Sequence, residues 1–282
     1  MGQMIGNIIP VELFTQPFMA HALMSGTIVA ILVGLVGFFV VLRGSAFVAH
    51  VLPKVGFSGA AGSLLIGANS FLGLVIFSIG GALSIGWLGK RGRHDVVTAL
   101  ILIVALGTGA LFLGLDNNYS TDAFAILFGQ IVGVSTNQVM ETAVLGVVCV
   151  GILGFLYRPL LFASIMKDSA AARGIRLRGL EMAFLVVVGL ATAVTVPVVG
   201  ALLCFSLLIG PAATARCLGK RPVKVLTYSV LISVMTVWGA LILGYDTGWP
   251  IGFFVSAISA GLYGLARGLN RVYERRARRD LV

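Results

Sequence analysis

Long apolar runs separated by short polar turns make up most of this chain. Residues 20–42 form the first run, which Arg43 closes. Residues 55–88 form a second run that contains no charged side chain and is too long for a single membrane crossing. Because the polar pair Asn69 and Ser70 stands at its middle, the pattern predicts two helices broken there, the first of them beginning near Ser45.

The rest of the chain continues this pattern. The further predicted spans are 96–115, 142–156, 182–196, 201–215, 225–243 and 251–265. A shorter, glycine-containing segment at 124–134 predicts a re-entrant or peripheral helix, and a break is expected over residues 197–200. At about 20 residues per crossing, the pattern predicts an all-α integral membrane protein, a polytopic bundle of about eight transmembrane helices with a range of seven to nine.

Composition agrees with a membrane location. Hydrophobic residues make up 59% of the chain and charged residues 11%, against about 25% charged residues in a typical soluble domain. The net charge is +10, which in a soluble protein would suggest a nucleic-acid partner. Here the basic side chains stand in short turns, where they set topology and contact anionic lipid. We therefore expect a lipid bilayer and no nucleic acid as partner.

The basic clusters orient the predicted helices. By the positive-inside rule, the turn 90–94 is cytoplasmic and the acidic, polar turn 116–122 is external. This layout gives a transmembrane domain over residues 1–266, with a cytoplasmic loop at 158–178, followed by a basic cytoplasmic tail at 267–282. The side of the N-terminus stays open, because the number of crossings is uncertain by one.

Several chemistries have no support in the sequence. The chain has no GxxxxGK[ST] motif, so it offers no nucleotide site of its own, and no GxSxG motif. Its three histidines, His21, His50 and His94, show no HExxH spacing. Three distant cysteines suggest no disulfide framework. A transport protein without a catalytic site and without a stably bound cofactor is therefore expected, and any ATP must be hydrolysed elsewhere.

Four segments carry a family resemblance. Residues 17–57 resemble the start of permeases from ABC importers of manganese, zinc or iron, where a span is followed by LRR and a helix with GDALSHAVLPG. LFGQIVGVS (127–135), LLFASIMKDSAAARGI (160–175) and VGALLCFSLLIGPAATAR (199–216) are similar to later segments of the same family, in the same order. The resemblance implies a multi-pass protein of the inner (cytoplasmic) membrane that works as a homodimer. It also implies an ABC ATPase subunit and an extracytoplasmic metal-binding protein as partners, with Mn, Zn or Fe as the transported ion.

The loop at 158–178 fits the docking role that such a permease needs. A short helix is predicted from Asp168 to Arg173, with the Asp168 carboxylate near its N-terminal end and Gly174 ending it in the left-handed conformation. An ordinary solvated loop is the alternative interpretation. The resemblance favours coupling to the ATPase, through Phe162, Ser164, Lys167, Asp168, Ala172 and Gly174.

Pro211 and Arg216 form the structural signature of the PAATAR segment. Pro211 is expected to bend or end a helix, and Arg216 to mark the cytoplasmic boundary. For the PAATAR segment, a structural role as a helix terminus packed against neighbouring helices is at least as well supported as a role in direct contact with the substrate.

His50 is the residue that most suggests metal chemistry. Neutral imidazole binds Mn²⁺, Fe²⁺ or Zn²⁺, and ionisable groups in membrane helices are functional candidates. The resemblance matches the family's histidine to His50, whereas the family's aspartate, four residues earlier, is replaced by Ala46. A hydrogen-bonded structural role is the alternative. Asn69 and Gln130 are further candidates for the translocation path, and Asp116 and Asp122 for its external mouth.

The sequence leaves two other transport functions open. One is a permease for a larger chelate, such as a siderophore or cobalamin, whose chains are usually longer. The other is an ion-coupled secondary transporter, which usually places carboxylates within its membrane helices; Glu141 and Glu181 both stand near predicted helix ends. The transported metal is not specified by the sequence.

Overall fold

The computed structural model describes residues 17–89, 94–115, 126–129 and 135–279. In these ranges the chain forms helices and no strand. The helices are α1 (Pro17–Arg43), α2 (Ala46–Leu65), α3 (Ser70–Leu88), α4 (His94–Leu115), α5 (Thr136–Ile165), α6 (Lys167–Ala172), α7 (Leu177–Val199), α8 (Cys204–Leu218), α9 (Pro222–Thr247) and α10 (Ile251–Arg279). The predicted all-helical membrane bundle is confirmed.

Among the described helices, seven are long and apolar enough to cross a bilayer: α1, α3, α4, α5, α7, α9 and α10. Helices α2 and α8 fall outside this set for different reasons. Helix α8 has only 15 residues, while α2 has 20 but contains the polar side chains of His50 and Lys54. Both are largely enclosed by other helices, so they do not need the continuous apolar surface that lipid requires.

The core of the bundle lies around α1 and α7. Phe39 of α1 is 1% exposed and packs edge-on against Tyr157 of α5 and Phe184 of α7, with ring centroids 5.7 and 6.5 Å apart. By contrast, large apolar side chains on α4 and α5 point outward; Phe155 is 87% exposed. An apolar exterior around a well-packed interior is what a bilayer-embedded bundle requires.

Helices α2 and α3 form a tight hairpin that breaks at Asn69, as predicted. The Asn69 side-chain oxygen accepts a hydrogen bond from the Phe71 amide at 2.9 Å and caps α3. Gly59 and Gly73 let the two backbones meet, because a Cβ on Gly73 would overlap the Gly59 carbonyl oxygen. Such close approach at small residues is typical of helix pairs in membranes.

A short segment, Ile126 to Gly129, docks against the turn that follows α7. The Ala201 amide donates to the Ile126 carbonyl at 3.1 Å and the Leu202 amide to the Leu127 carbonyl at 3.2 Å. The rest of the helix predicted over 124–134 lies outside the described residues. The break predicted over 197–200 is displaced: α7 runs through Pro197 to Val199, and the chain turns at Gly200, whose φ of 94° favours glycine.

At three positions the helices continue past polar or proline residues. Arg158 and Pro159 lie inside α5, which ends at Ile165, so the first part of the predicted cytoplasmic loop 158–178 is helical. The predicted tail beyond residue 267 continues α10 as far as Arg279. Pro211 does not end a helix but lies inside α8; in a packed bundle, neighbouring helices and local adjustment offset the lost backbone hydrogen bond.

Candidate functional site

Helix α6 stands on the polar side of the bundle, between α5 and α7. Five of its six residues are exposed, among them Lys167, Asp168 and Ala172, while Ala170 is 0% exposed. The helix is therefore fixed to the bundle through one small side chain and presents the rest of its surface outward. A partner protein can approach this surface closely because three of the six residues are alanine.

Gly174 ends α6 as the sequence predicted. Its φ is 77°, in the left-handed region. The Ile175 amide donates to the Ala170 carbonyl at 3.2 Å and the Gly174 amide to the Ala171 carbonyl at 3.0 Å, which is the hydrogen-bond pattern of a Schellman motif. The predicted helix from Asp168 to Arg173 is confirmed within one residue, since α6 spans Lys167–Ala172.

Two arginines tie the surroundings of α6 to the bundle. The Arg173 guanidinium lies over the Phe162 ring, 5.1 Å from its centroid. Arg43, at the end of α1, donates from Nη1 to the Ser164 hydroxyl at 3.2 Å and lies 5.3 Å from the centroid of the Phe184 ring. The last turn before α6 is thus linked to both α1 and α7.

Arg216 makes a further contact at the same side of the bundle. Its Nη1 donates at 3.2 Å to the Val41 carbonyl, in the last turn of α1, which also accepts a longer hydrogen bond of 3.4 Å from the Gly44 amide. Beside it lies a cavity of about 380 Å³ whose wall includes Ile165, Arg216 and Lys220. The predicted boundary residue is therefore also a connection between α8 and α1.

His50 lies on α2 beside a lysine. The Lys54 ammonium is 2.9 Å from His50 Nε2 and donates to the His50 carbonyl oxygen at 3.0 Å. The Phe205 ring of α8 packs edge-on against the imidazole, with centroids 4.8 Å apart. Where a carboxylate one turn earlier would complete a metal site, α2 has Ala46.

This arrangement is unfavourable for a bare divalent cation. Repulsion between a divalent cation and an ammonium about 4 Å away amounts to about 8 kcal/mol at an effective dielectric constant of about 20. In the described part of the chain, no three His, Cys, Asp or Glu side chains come together as a metal site. If Gly44 and Pro53 are matched without a gap to the first glycine and the proline of the family pattern GDALSHAVLPG, the histidine of the pattern falls on Ala49 and its aspartate on Ser45. In either register the aspartate–histidine pair is incomplete.

Asn69 lies far from His50, at the opposite end of α2. About 22 Å of helix separates His50 from Leu65, so these two side chains cannot share one ion. Asn69 instead lines a cavity of about 370 Å³, together with Glu141 and Thr142 of α5 and Pro197 of α7. Gln130, Asp116 and Asp122 lie outside the described residues.

Comparison with known proteins assigns the chain to a family. The family model described as the ABC 3 transport family matches residues 15–267. The chain belongs to the ABC 3 transport family. The resemblance to metal importer permeases drawn from the four sequence segments is thereby confirmed at the level of the family, and the chain is a multi-pass membrane transport protein.

The curated relatives within the ABC 3 transport family include manganese and zinc systems. The manganese transport system membrane protein MntC of Listeria monocytogenes is 25% identical over 265 residues, which cover 90% of this chain and 94% of the relative. The high-affinity zinc uptake system membrane protein ZnuB of Haemophilus influenzae is 26% identical over 230 residues, covering 80% of this chain and 88% of the relative.

Two solved structures share the fold. PsaBC from Streptococcus pneumoniae in complex with Fab superposes with a TM-score of 0.81 at 24% identity, over 90% of this chain and 92% of the matched chain. An inward-facing conformation of a putative metal-chelate type ABC transporter superposes with a TM-score of 0.73 at 17% identity, over 96% and 91% of the two chains.

Sequence reasoning missed two residues of this ABC 3 family member that the structure brings into the candidate sites. Arg43 was interpreted only as the end of a span, and its contact with Ser164 joins positions 121 residues apart. Lys54 received no role, although its spacing of four from His50 within a predicted helix was a signal for contact.

Proposed function

We propose that this chain is the membrane permease subunit of an ABC importer that moves divalent transition-metal ions, Mn, Zn or Fe, into the cytoplasm. A separate ATPase subunit supplies the energy, and an extracytoplasmic metal-binding protein delivers the ion. Two copies of the chain form the permease in the inner membrane. Manganese and zinc are supported by the names of relatives in the same family.

The observation that carries this proposal is the construction of α6. An ATPase that drives a permease must press on a rigid element outside the membrane, and α6 is short, exposed and anchored by Ala170. The Schellman motif at Gly174 fixes its C-terminal end. The Arg43–Ser164 contact offers a direct route for displacement of α6 into α1. The proposed docking residues are Phe162, Ser164, Lys167, Asp168, Ala172 and Gly174.

Membership of the ABC 3 transport family, whose matched relatives include proteins of a zinc uptake system and a manganese import system, favours an ATP-driven system over an ion-coupled secondary transporter. The carboxylates agree with this choice. All those that the structure describes lie within two turns of a helix end, whereas coupling ions are usually carried by side chains deep in the membrane.

Co-purification tests the proposal. The tagged chain is expressed in its native cells and purified, and metal accumulation is measured in the same cells deprived of Mn, Zn and Fe in turn. We expect an ATPase with a Walker motif to co-purify and one of these metals to accumulate. A chain that purifies without an ATPase and supports no metal accumulation would contradict the proposal.

A further inference from the structure

Helix α2 is closed by neighbouring helices almost all round. From Val48 to Ala61, every residue of α2 is buried except His50 and Lys54. These two lie one turn apart, on the same face of the helix. The partly exposed face of α2, called the opening below, therefore consists of two nitrogen-bearing side chains.

The charge at this opening is positive. Lys54 lies about 12 Å along the axis from the start of α2, within a stretch where every other residue except His50 is buried. None of the described carboxylates contacts Lys54, and its hydrogen bonds go to the His50 ring and carbonyl. An ionisable side chain in such surroundings, with no opposite charge beside it among the described residues, is a functional candidate in a membrane protein.

We infer that His50 and Lys54 form a subsite for a carboxylate of a negatively charged metal complex, so that the transported metal enters this pathway as an anionic chelate. A carboxylate can replace the imidazole as the acceptor for the ammonium and take a second hydrogen bond from a ring N–H, giving two charge-assisted contacts. A bare divalent cation at the same place meets the ammonium and none of the carboxylates in the part of the chain that the structure describes. This inference rests on the proposed import function and narrows its substrate class.

The Phe205 ring supports the same assignment. It packs edge-on against His50 from α8 and is partly buried, so the apolar side of the subsite lies next to the polar one. An organic chelator offers both a carboxylate and carbon atoms to such a surface, whereas a hydrated ion offers neither.

Binding to the purified full-length chain in lipid nanodiscs tests the inference, with three probes. The probes are Zn²⁺ alone, citrate alone, and Zn²⁺ in excess citrate, which holds the metal as an anionic complex. The variants are Lys54→Gln, which removes the charge, and Lys54→Arg, which retains it. Lys224→Gln is the matched control, because Lys224 is exposed at the start of α9.

We expect the zinc–citrate complex to bind the wild type, with at least a tenfold loss in Lys54→Gln. Lys54→Arg is expected to stay within about threefold of the wild type, and Lys224→Gln to be unchanged. Equally tight binding of citrate alone, with the same dependence on Lys54, would overturn the inference of a metal chelate, because the free anion would then be the ligand. Zn²⁺ alone binding more tightly than the complex, or binding of the complex unchanged in Lys54→Gln, would overturn the inference.

A second variant keeps the test decisive if Lys54→Gln does not fold. Lys54→Glu, which places a carboxylate one turn from His50, is expected to lose citrate binding and to bind Zn²⁺ alone more tightly than the wild type does. These binding measurements need no ATPase, so their outcome is separate from that of the proposed function. If cells accumulate the metal but every Lys54 variant binds the zinc–citrate complex as the wild type does, the import function is supported and the chelate subsite is ruled out.

Discussion

The Arg43 guanidinium donates to the Ser164 hydroxyl across 3.2 Å, joining the end of α1 to the last turn before α6. The Ser164 hydroxyl in turn donates to the Leu160 carbonyl at 2.5 Å. Arg43 also lies against the ring of Phe184 on α7. Three helices therefore meet at one side chain, next to the element proposed to receive the ATPase.

Removing this link should weaken coupling more than it weakens assembly. We expect Arg43→Gln to lower metal uptake several-fold while the ATPase still co-purifies, because α6 keeps its own anchor. Ser164→Ala should have a smaller effect in the same direction. The measurement is uptake per copy of assembled complex, with Arg158→Gln, an exposed arginine of α5, as the control.

A double-mutant cycle gives the sharper result. If Arg43 and Ser164 act through one another, the double variant should lose less uptake than the sum of the two single losses, because the shared contact can be lost only once. Strictly additive losses would show that the 3.2 Å contact has no part in coupling.

The surface of α6 should be required for transport but not for insertion. We expect Asp168→Lys, or deletion of Ser169 to Ala172, to abolish metal uptake and co-purification of the ATPase, because the first reverses a charge on the exposed docking surface and the second removes most of α6, including its buried anchor Ala170. Insertion is checked by the yield of monodisperse protein. Asp246→Lys, the same charge reversal at the exposed end of α9, is the control. Normal uptake with Asp168→Lys would rule out the coupling role.

The turn at Gly200 should depend on glycine. Gly200 has a φ of 94° and a ψ of 151°, a conformation that costs other residues about 1–3 kcal/mol. A Cβ there would also lie 2.4 Å from the backbone carbon of Phe128. Gly200→Ala should therefore lower the thermal unfolding midpoint in detergent by several degrees.

Gly151→Ala provides the matched control for this effect. Gly151 lies in α5 with nothing within 4 Å of an added Cβ, and alanine is favoured over glycine in a helix interior. The thermal unfolding midpoint of Gly151→Ala should equal that of the wild type or be slightly higher. Equal midpoints for Gly200→Ala and Gly151→Ala would contradict the assignment of strain to the turn after α7.

Asn69 offers a test that separates capping from transport. As the N-cap of α3, Asn69→Ala should cost about 1 kcal/mol of stability, whereas Asn69→Asp keeps the accepting oxygen and should be near neutral. Metal uptake per folded molecule should not change with either variant if capping is the whole role. A loss of metal uptake per folded molecule in both Asn69→Ala and Asn69→Asp would instead support a role for Asn69 in the translocation path.

The local features of the sequence predicted local structure well. Asn69 was expected at a helix break and caps α3; Gly174 was expected to end a short helix in the left-handed conformation and does so. Each outcome depends on backbone chemistry within a few residues. The break predicted over 197–200 lies at Gly200, and Pro211, which was expected to bend or end a helix, lies inside α8; neighbouring helices hold the chain helical through both prolines.

By itself, the sequence determined which segments cross the membrane, where polar turns separate them, and that a short helix stands between α5 and α7. Only the tertiary structure decided that Arg43 reaches Ser164, and that α2 is open at His50 and Lys54 alone among its central residues. The reason is physical: in a membrane protein the surfaces facing lipid and the surfaces facing other helices are both apolar. Hydropathy therefore locates the helices along the chain but carries little information on which faces meet.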